Sequence, residues 1–337
     1  MATLRSDVIV PEVFTAYVDE AVTTRSAFLN SGVIQPLAIL NATEGGDYVN
    51  VPSWSANLSG DAEVLSDSTS LIPGKIAGEK QICPVLHRGR AWEVRTLAAL
   101  AAGDDPMAAI GRKVAEYISY QQQKDVYSIL KGVFGPLTSN TTGALKSLAI
   151  DSNATASVLS PGKVAEARAA LGDQGEKLSV IAMHSKVYYD LVERKAIDYV
   201  TAAEARQTAA ANMDGAFAGS VVNAYGEVTV PTYMGLRVIV SDDANNDGTN
   251  YASYLFTPGA MAAGTQSGLV TETDRDILAL SDAMSVHWHN LYHPLGMSYT
   301  AGGVNPSRTT LETAGNWTQV YETKNLGIVS IVSNPNF

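Results

Sequence analysis

The sequence predicts an α+β fold. Helix-period patterns fall before residue 200, and strand-like segments crowd the chain beyond residue 219. One amphipathic stretch over 104–134 is long enough to act as a rod. No repeat at a fixed period runs through the 337 residues.

Along the chain, residues 11–30 place Val13, Phe14, Tyr17, Val18, Ala21 and Val22 at intervals of three and four, with Pro11 suited to a first helical turn. No second helix follows to cover that face, so a docked arm is expected. Tyr48–Val51 reads as a short strand ended by Pro52. Residues 53–80 are polar, rich in small side chains and turned at Pro73-Gly74. Residues 81–94 return as a strand. Residues 45–95 are therefore read as a two-stranded excursion with its tip near Leu71 to Gly78. An isolated ribbon is marginal in water and exposes unpaired edges. It must fold back on its own domain or lie on a neighbour, and periodicity does not choose between the two.

The rod carries a stripe of Ile110, Val114, Ile118, Val126, Ile129 and Val133, with Gln122 in its gap. Asp104 or Asp105 can cap it, Pro106 fits its first turn and Gly135-Pro136 stops it. At about 1.5 Å per residue its length is roughly 43 Å. A Ser/Thr/Asn/Gly linker over 136–156 follows, then a helix over 161–171, a strand over 178–183 and a helix over 184–197. Residues 200–217 are Ala-rich and ambiguous. Strands are expected at 228–230, 236–240, 251–256, 268–273, 283–291 and 327–332.

Composition narrows the function classes. Lys plus Arg number 23 and Asp plus Glu 34, a net charge of −11, which argues against wrapping nucleic acid or lying on an anionic membrane. No window approaches about 18 unbroken apolar residues, and the start lacks the basic and apolar pattern of a signal peptide. The single cysteine, Cys83, excludes an internal disulfide framework and a zinc site built on two cysteines of one chain. Charged residues are 17%, against about 25% in an average soluble protein, as expected where much of the surface faces other protein.

Candidate chemistry is sparse. Asp243-Ala-Asn-Asn-Asp247-Gly248 matches the first half of a calcium loop, but position twelve is Tyr254 where a bidentate Glu is required. An Asx-rich turn between two strands is the preferred reading. His287 and His289 share a strand face, and His293 could join them at a metal if the strand ended first, before Pro294. Imidazole and aromatic packing on a sheet face is preferred there too. Cys83, beside Pro84 in a strand, reads as a small apolar residue rather than a nucleophile. Lys75 at the ribbon tip can meet a neighbour's carboxylates, with Glu63 and Asp67 as acceptors, although exposed pairs contribute only about 0–1 kcal/mol. Phosphate loops, nucleophile elbows and dinucleotide fingerprints are absent, so no enzyme and no cofactor are expected.

Several segments, in this order, resemble one family. They are residues 9–14 (IVPEVF), 60–67 (GDAEVLSD), 71–76 (LIPGKI), 88–92 (RGRAW), 101–111 (AAGDDPMAAIG), 130–135 (LKGVFG), 272–278 (ETDRDIL) and the stretch from Asn316-Trp317 to Gly327. Together they resemble the major capsid proteins of tailed bacteriophages, with the Hong Kong 97-type fold.

The resemblance implies an N-terminal arm over 1–35, an extended loop over 36–96, and a peripheral domain over 97–139 and 271–337 with a spine helix at about 106–134. It also implies an axial domain over 140–270. It further implies inter-subunit contacts through Phe14 and Tyr17 on the arm, and through Trp54, Glu63, Asp67, Leu71, Ile72, Lys75 and Ile76 on the loop. Arg88, Arg90 and Arg275 complete the set. The implied function is self-assembly into hexamers and pentamers of an icosahedral head, built in the bacterial cytoplasm and retained in the virion. The implied partners are a scaffolding protein, a portal protein, a cement or decoration protein, and packaged double-stranded DNA held non-specifically, with no membrane. An acidic lining would repel phosphate and so ease ejection. A bacterial nanocompartment shell of the same fold, and a metal-dependent enzyme using His287, His289 and His293, are the alternatives.

Overall fold

The computed structural model describes residues 28, 31–41, 45–54, 62, 78–95, 106–137, 143–151, 157–201, 221–222 and 228–335. The expected arm helix apart from Phe28, the ribbon tip, and the Ala-rich stretch beyond Thr201 lie outside the described residues.

In chain order, β1 is Ile34–Pro36, β2 Tyr48–Trp54, β3 Gly78–Pro84 and β4 Leu86–Arg95. The rod is α1, Pro106–Phe134. Then come β5 (Ala149–Ile150), α2 (Pro161–Ala170), β6 (Val180–Met183), α3 (Ser185–Glu193), β7 (Asp198–Thr201), β8 (Val221–Val222) and β9 (Val228–Tyr233). The strand-rich end holds β10 (Leu236–Val240), β11 (Tyr251–Phe256), β12 (Met261–Asp276), β13 (Ser281–Pro294), β14 (Met297–Tyr299), α4 (Arg308–Leu311), β15 (Trp317–Gln319) and β16 (Ile328–Ser333).

Two sheets organise these elements. A four-stranded sheet runs β1-β12-β13-β4, and an eight-stranded one runs β5-β16-β11-β6-β10-β9-β7 with β8 also on β9. The hairpin of β12 and β13 holds the longest strands of the described residues, at 16 and 14 residues. At about 3.3 Å per residue it matches the reach of α1. α1 ends where Gly135, at φ 79°, enters the left-handed region that glycine adopts freely.

α1 is buried in two different places. Val126, Ile129, Leu130, Val133 and Phe134 enter the main core with the eight-stranded sheet. Val114, Ala115 and Ile118, one half-rod earlier, pack on Met284, Val286 and Trp288 of β13. The expected stripe is thus one continuous face that serves two cores. Gln122, in its gap, falls at the join and is only partly buried.

Several expectations change. The strand at Tyr48–Val51 runs on through Pro52 to Trp54. In a two-stranded ribbon each strand has a free edge, where a missing N–H breaks no ladder. The return strand divides at Val85. β3 pairs with β2, whereas β4 leaves the ribbon and pairs with β13 from Ser281↔Arg95 to Asn290↔Leu86. β12 begins at Met261, well before Gly268. Register shifts between Thr265 and Ser267 and between Ser267 and Val270 break its alternation, so period-two reading catches only part of it. Phe28, Val33 and Ile34, at the end of the expected arm, are buried in their own chain. The C-terminal strand β16 pairs with β11 and β5 in the eight-stranded sheet, away from the four-stranded sheet that holds residues 271–294.

Candidate assembly surface

The ribbon is tied to its own subunit at the base. The side-chain oxygen of Gln81, on β3, accepts the Gly296 N–H at 2.9 Å and lies 2.9 Å from His293 Nε2. The Ile82 N–H donates to Ser298 Oγ at 3.1 Å, and the Tyr48 hydroxyl donates to the Gly303 carbonyl. Val51, Cys83 and Val85 form a small core with Leu40, Ala262 and Leu291. The described outer end is different: Trp54, paired with Gly78, is 68% exposed. Of the two courses left open for the ribbon, its base takes the first and docks on its own chain.

A second tie gathers around Asp125 on α1. Its buried carboxylate accepts Arg308 Nε–H at 2.7 Å and lies 3.5 Å from Arg88 Nε on β4. Arg308 also donates to the Gln121 carbonyl and side-chain oxygen, at 3.1 and 2.8 Å. Arg88 donates to Asn305 Oδ1 at 2.8 Å and the Pro306 carbonyl at 2.9 Å. One carboxylate thus holds the rod, a strand of the sheet and the 305–308 segment together. Beside it, α4 lies close to the rod. A Cβ at Gly132 would come within 1.9 Å of the Leu311 carbonyl oxygen and 2.6 Å of Trp317 Nε1, an approach only glycine permits. Lys131 pairs with Glu312 at 2.6 Å, and Trp317 Nε1–H donates to the Leu311 carbonyl at 2.8 Å.

The far end of the β12–β13 hairpin carries an exposed apolar run. Ile277 is 77% exposed, Leu278 97% and Leu280 58%. Asp276 Oδ1 accepts the backbone N–H groups of Leu278 and Ala279 at 2.8 and 3.1 Å and so shapes the turn. The sequence signal for this feature is an apolar run, Ile277 to Leu280, between polar strand ends, where a hairpin turn is ordinarily polar.

The expected contact residues fall in three groups. Phe14, Tyr17, Glu63, Asp67, Leu71, Ile72, Lys75 and Ile76 lie outside the described residues. Trp54 and Arg90 are exposed, and Arg275 is exposed with Asp282 at 3.6 Å. Arg88 is engaged inside its own subunit, on Asp125, Asn305 and Pro306. The sequence reading did not single out Gln81, Asp125, Gly132 or Arg308.

The metal alternative is corrected. His289 stacks on His87 with ring centroids 4.0 Å apart, and its Nδ1 lies 3.2 Å from Gln266 Oε1. Its pKa is lowered by burial first, then by the neighbouring His87 and His287. His293 lies about 13 Å further along the strand, where its Nε2 meets Gln81 in the ribbon base. Among the described residues no group of three or more His, Cys, Asp or Glu side chains is placed to hold a metal ion. In the loop at 243–248, Asp247 accepts the N–H groups of Thr249 and Asn250 at 2.9 and 2.6 Å, as an Asx turn does. Cys83 is wholly buried, and burial pushes its thiol pKa far up, as suits a core residue. Among the described residues no helix is long and apolar enough to cross a membrane.

Comparison with known proteins joins these features. The chain is 34% identical to the "Major capsid protein" of Bacillus phage SPP1 over 338 residues, 96% of each chain. Its fold is similar to that in the capsid of Ralstonia phage GP4, with a TM-score of 0.57 and 10% identity over 90% of this chain and 88% of that one. It is also similar to a chain of the cyanophage Pam1 capsid asymmetric unit, with a TM-score of 0.54 and 13% identity over 90% and 88%. The fold is therefore the α+β fold of phage capsid proteins, and the expectation of a coat subunit rather than an enzyme agrees with the comparisons. A family model described as "Gp13-like: Major capsid protein 13-like" matches residues 92–327, and the chain belongs to that family of major capsid proteins.

Proposed function

We propose that this chain is the coat subunit of a tailed-phage head, assembling as hexamers and pentamers into an icosahedral shell around packaged double-stranded DNA. The observation that carries this is the 34% identity to the SPP1 protein, spread over 96% of both chains. In this reading the four-stranded sheet with the first half of α1 is the peripheral domain, and the eight-stranded sheet is the axial domain. The ribbon of β2 and β3, fixed at its base and exposed at Trp54, carries the extended loop toward a neighbour. Trp54, Arg90 and Arg275 supply inter-subunit contacts, together with Phe14, Tyr17, Glu63, Asp67, Leu71, Ile72, Lys75 and Ile76. Arg88, already engaged, orients the strand that presents Arg90.

Identical subunits with unlike contacting patches associate head to tail and close into rings. Many weak contacts on each subunit then act together. Scaffolding, portal and decoration proteins are the further partners of such a shell. Assembly takes place in the bacterial cytoplasm, and the product is the virion. The net charge of −11 suits a container that must release DNA, since phosphate gains nothing from an acidic wall.

Electron microscopy of the purified protein, with and without a co-expressed scaffold, tests the reading. Closed shells or capsomer rings are expected. A compact monomer that persists at high concentration under both conditions would overturn it.

A further inference from the structure

Besides the exposed tip, the described residues hold a recess of matching character. It lies between β4 and the first half of α1, has a volume of about 320 Å³ and is lined by Trp92, Ile110, Lys113, Val114 and Tyr117. Trp92 and Tyr117 meet edge to face there, with ring centroids 5.3 Å apart at 83°. Their stiff walls are what a pocket for an apolar anchor needs. A dry cavity of roughly 150 Å³ already takes a benzene ring, so this recess has room for branched aliphatic side chains.

We propose that the hairpin tip, through Ile277, Leu278 and Leu280, seats in this recess on a second copy of the chain. The tip is not seated in its own subunit, because Leu278 is 97% exposed. Its turn is held by the Asp276 carboxylate rather than left to the solvent, so the apolar side chains project from a defined base. Leu280 adopts φ 50°, a left-handed conformation that glycine takes more easily, so its side chain is presented against the local backbone preference.

Charge agrees with the pairing. The tip is flanked by Asp274, Arg275, Asp276 and Asp282, with Arg275 paired to Asp282, which leaves it net negative, and Lys113 stands on the recess. The two patches are unlike and lie on the same molecule. They therefore make a head-to-tail contact, the kind that closes identical subunits into a larger assembly. The inference rests on the coat-subunit reading, which supplies a second copy as the partner.

The test uses chains that each carry one new thiol, Leu278→Cys on one and Lys113→Cys on the other. The native Cys83 is buried and does not compete. The two chains are co-assembled and treated with a short bis-maleimide. A mixed covalent dimer is expected. It should be absent when Tyr189→Cys, an exposed position on α3, replaces Lys113→Cys. Leu278→Asp on full-length chain should lower the yield of assembled particles about tenfold or more, with the monomer's circular dichroism unchanged. Particles that form normally without the mixed dimer overturn the inference and leave the coat reading standing. A dimer from Leu278→Cys chains alone sets tip against tip and also overturns it. Absence of particles from the unmodified chain under every assembly condition overturns the coat reading, and this inference with it.

Discussion

His293 Nε2 stands 2.9 Å from Gln81 Oε1, with both side chains fully buried. The same oxygen already accepts the Gly296 N–H, so the imidazole is the donor and carries its proton on Nε2. Nδ1 is then bare, buried and without a hydrogen-bond partner. This contact fastens the ribbon base to the end of the longest hairpin.

Burial lowers the pKa of His293 from 6.5 to about 4. Between those values the unfolded chain binds a proton that the folded chain refuses. The stabilisation is therefore complete above pH 6.5 and is lost as pH falls toward 4. The loss attributable to this group is about 3 kcal/mol. Replacing it with His293→Gln, which keeps an amide donor but cannot titrate, should flatten urea-derived stability over this range. An unchanged acid limb in the variant would contradict the assignment.

Gly132→Ala should lower stability by about 1–3 kcal/mol, the usual cost of overpacking. The contact that must yield is the Leu311 backbone carbonyl, not the end of a flexible side chain. Thermal melting reads the loss. Gly172→Ala serves as a contrast, since a Cβ there meets no atom within 4 Å and the cost is only that of its φ of 60°.

Asp125→Ala leaves two arginines without their shared carboxylate. A fully buried pair broken this way costs 3–5 kcal/mol. Arg308 is partly exposed and keeps Gln121, so about 1–3 kcal/mol is expected here. A double-mutant cycle of Asp125→Asn with Arg308→Gln should give a coupling above about 0.5 kcal/mol. Strict additivity would mean the contact holds nothing together.

Trp54→Ala should separate folding from assembly. The side chain is largely in solvent, so the monomer's stability should change by no more than about 0.5 kcal/mol. Particle yield at fixed concentration should fall. A monomer destabilised as much as the assembly would place Trp54 in its own fold.

Much of the fold was legible because it depends on local periodicity. The rod from Pro106 to Phe134 carried its stripe, its first-turn proline and its terminal glycine in sequence, and the structure keeps all three. The strands at 236–240 and 251–256 are short, largely apolar runs paired without a register shift, and they fall where expected. Where the pleat is bulged, as near Ser267, the period breaks and the sequence shows only a fragment of the strand. The coat-subunit reading was likewise legible, because ordered motifs survive in a chain regardless of how it packs.

The sequence alone thus determined the rod, several of the other helices and strands, and the family. Only tertiary structure decided that Arg88 turns inward to Asp125, that His293 leaves its neighbours for Gln81, and that Gly132 makes room for α4. Each of those depends on a partner 37 to 212 residues away, and local spacing does not encode which distant groups the packed core brings together.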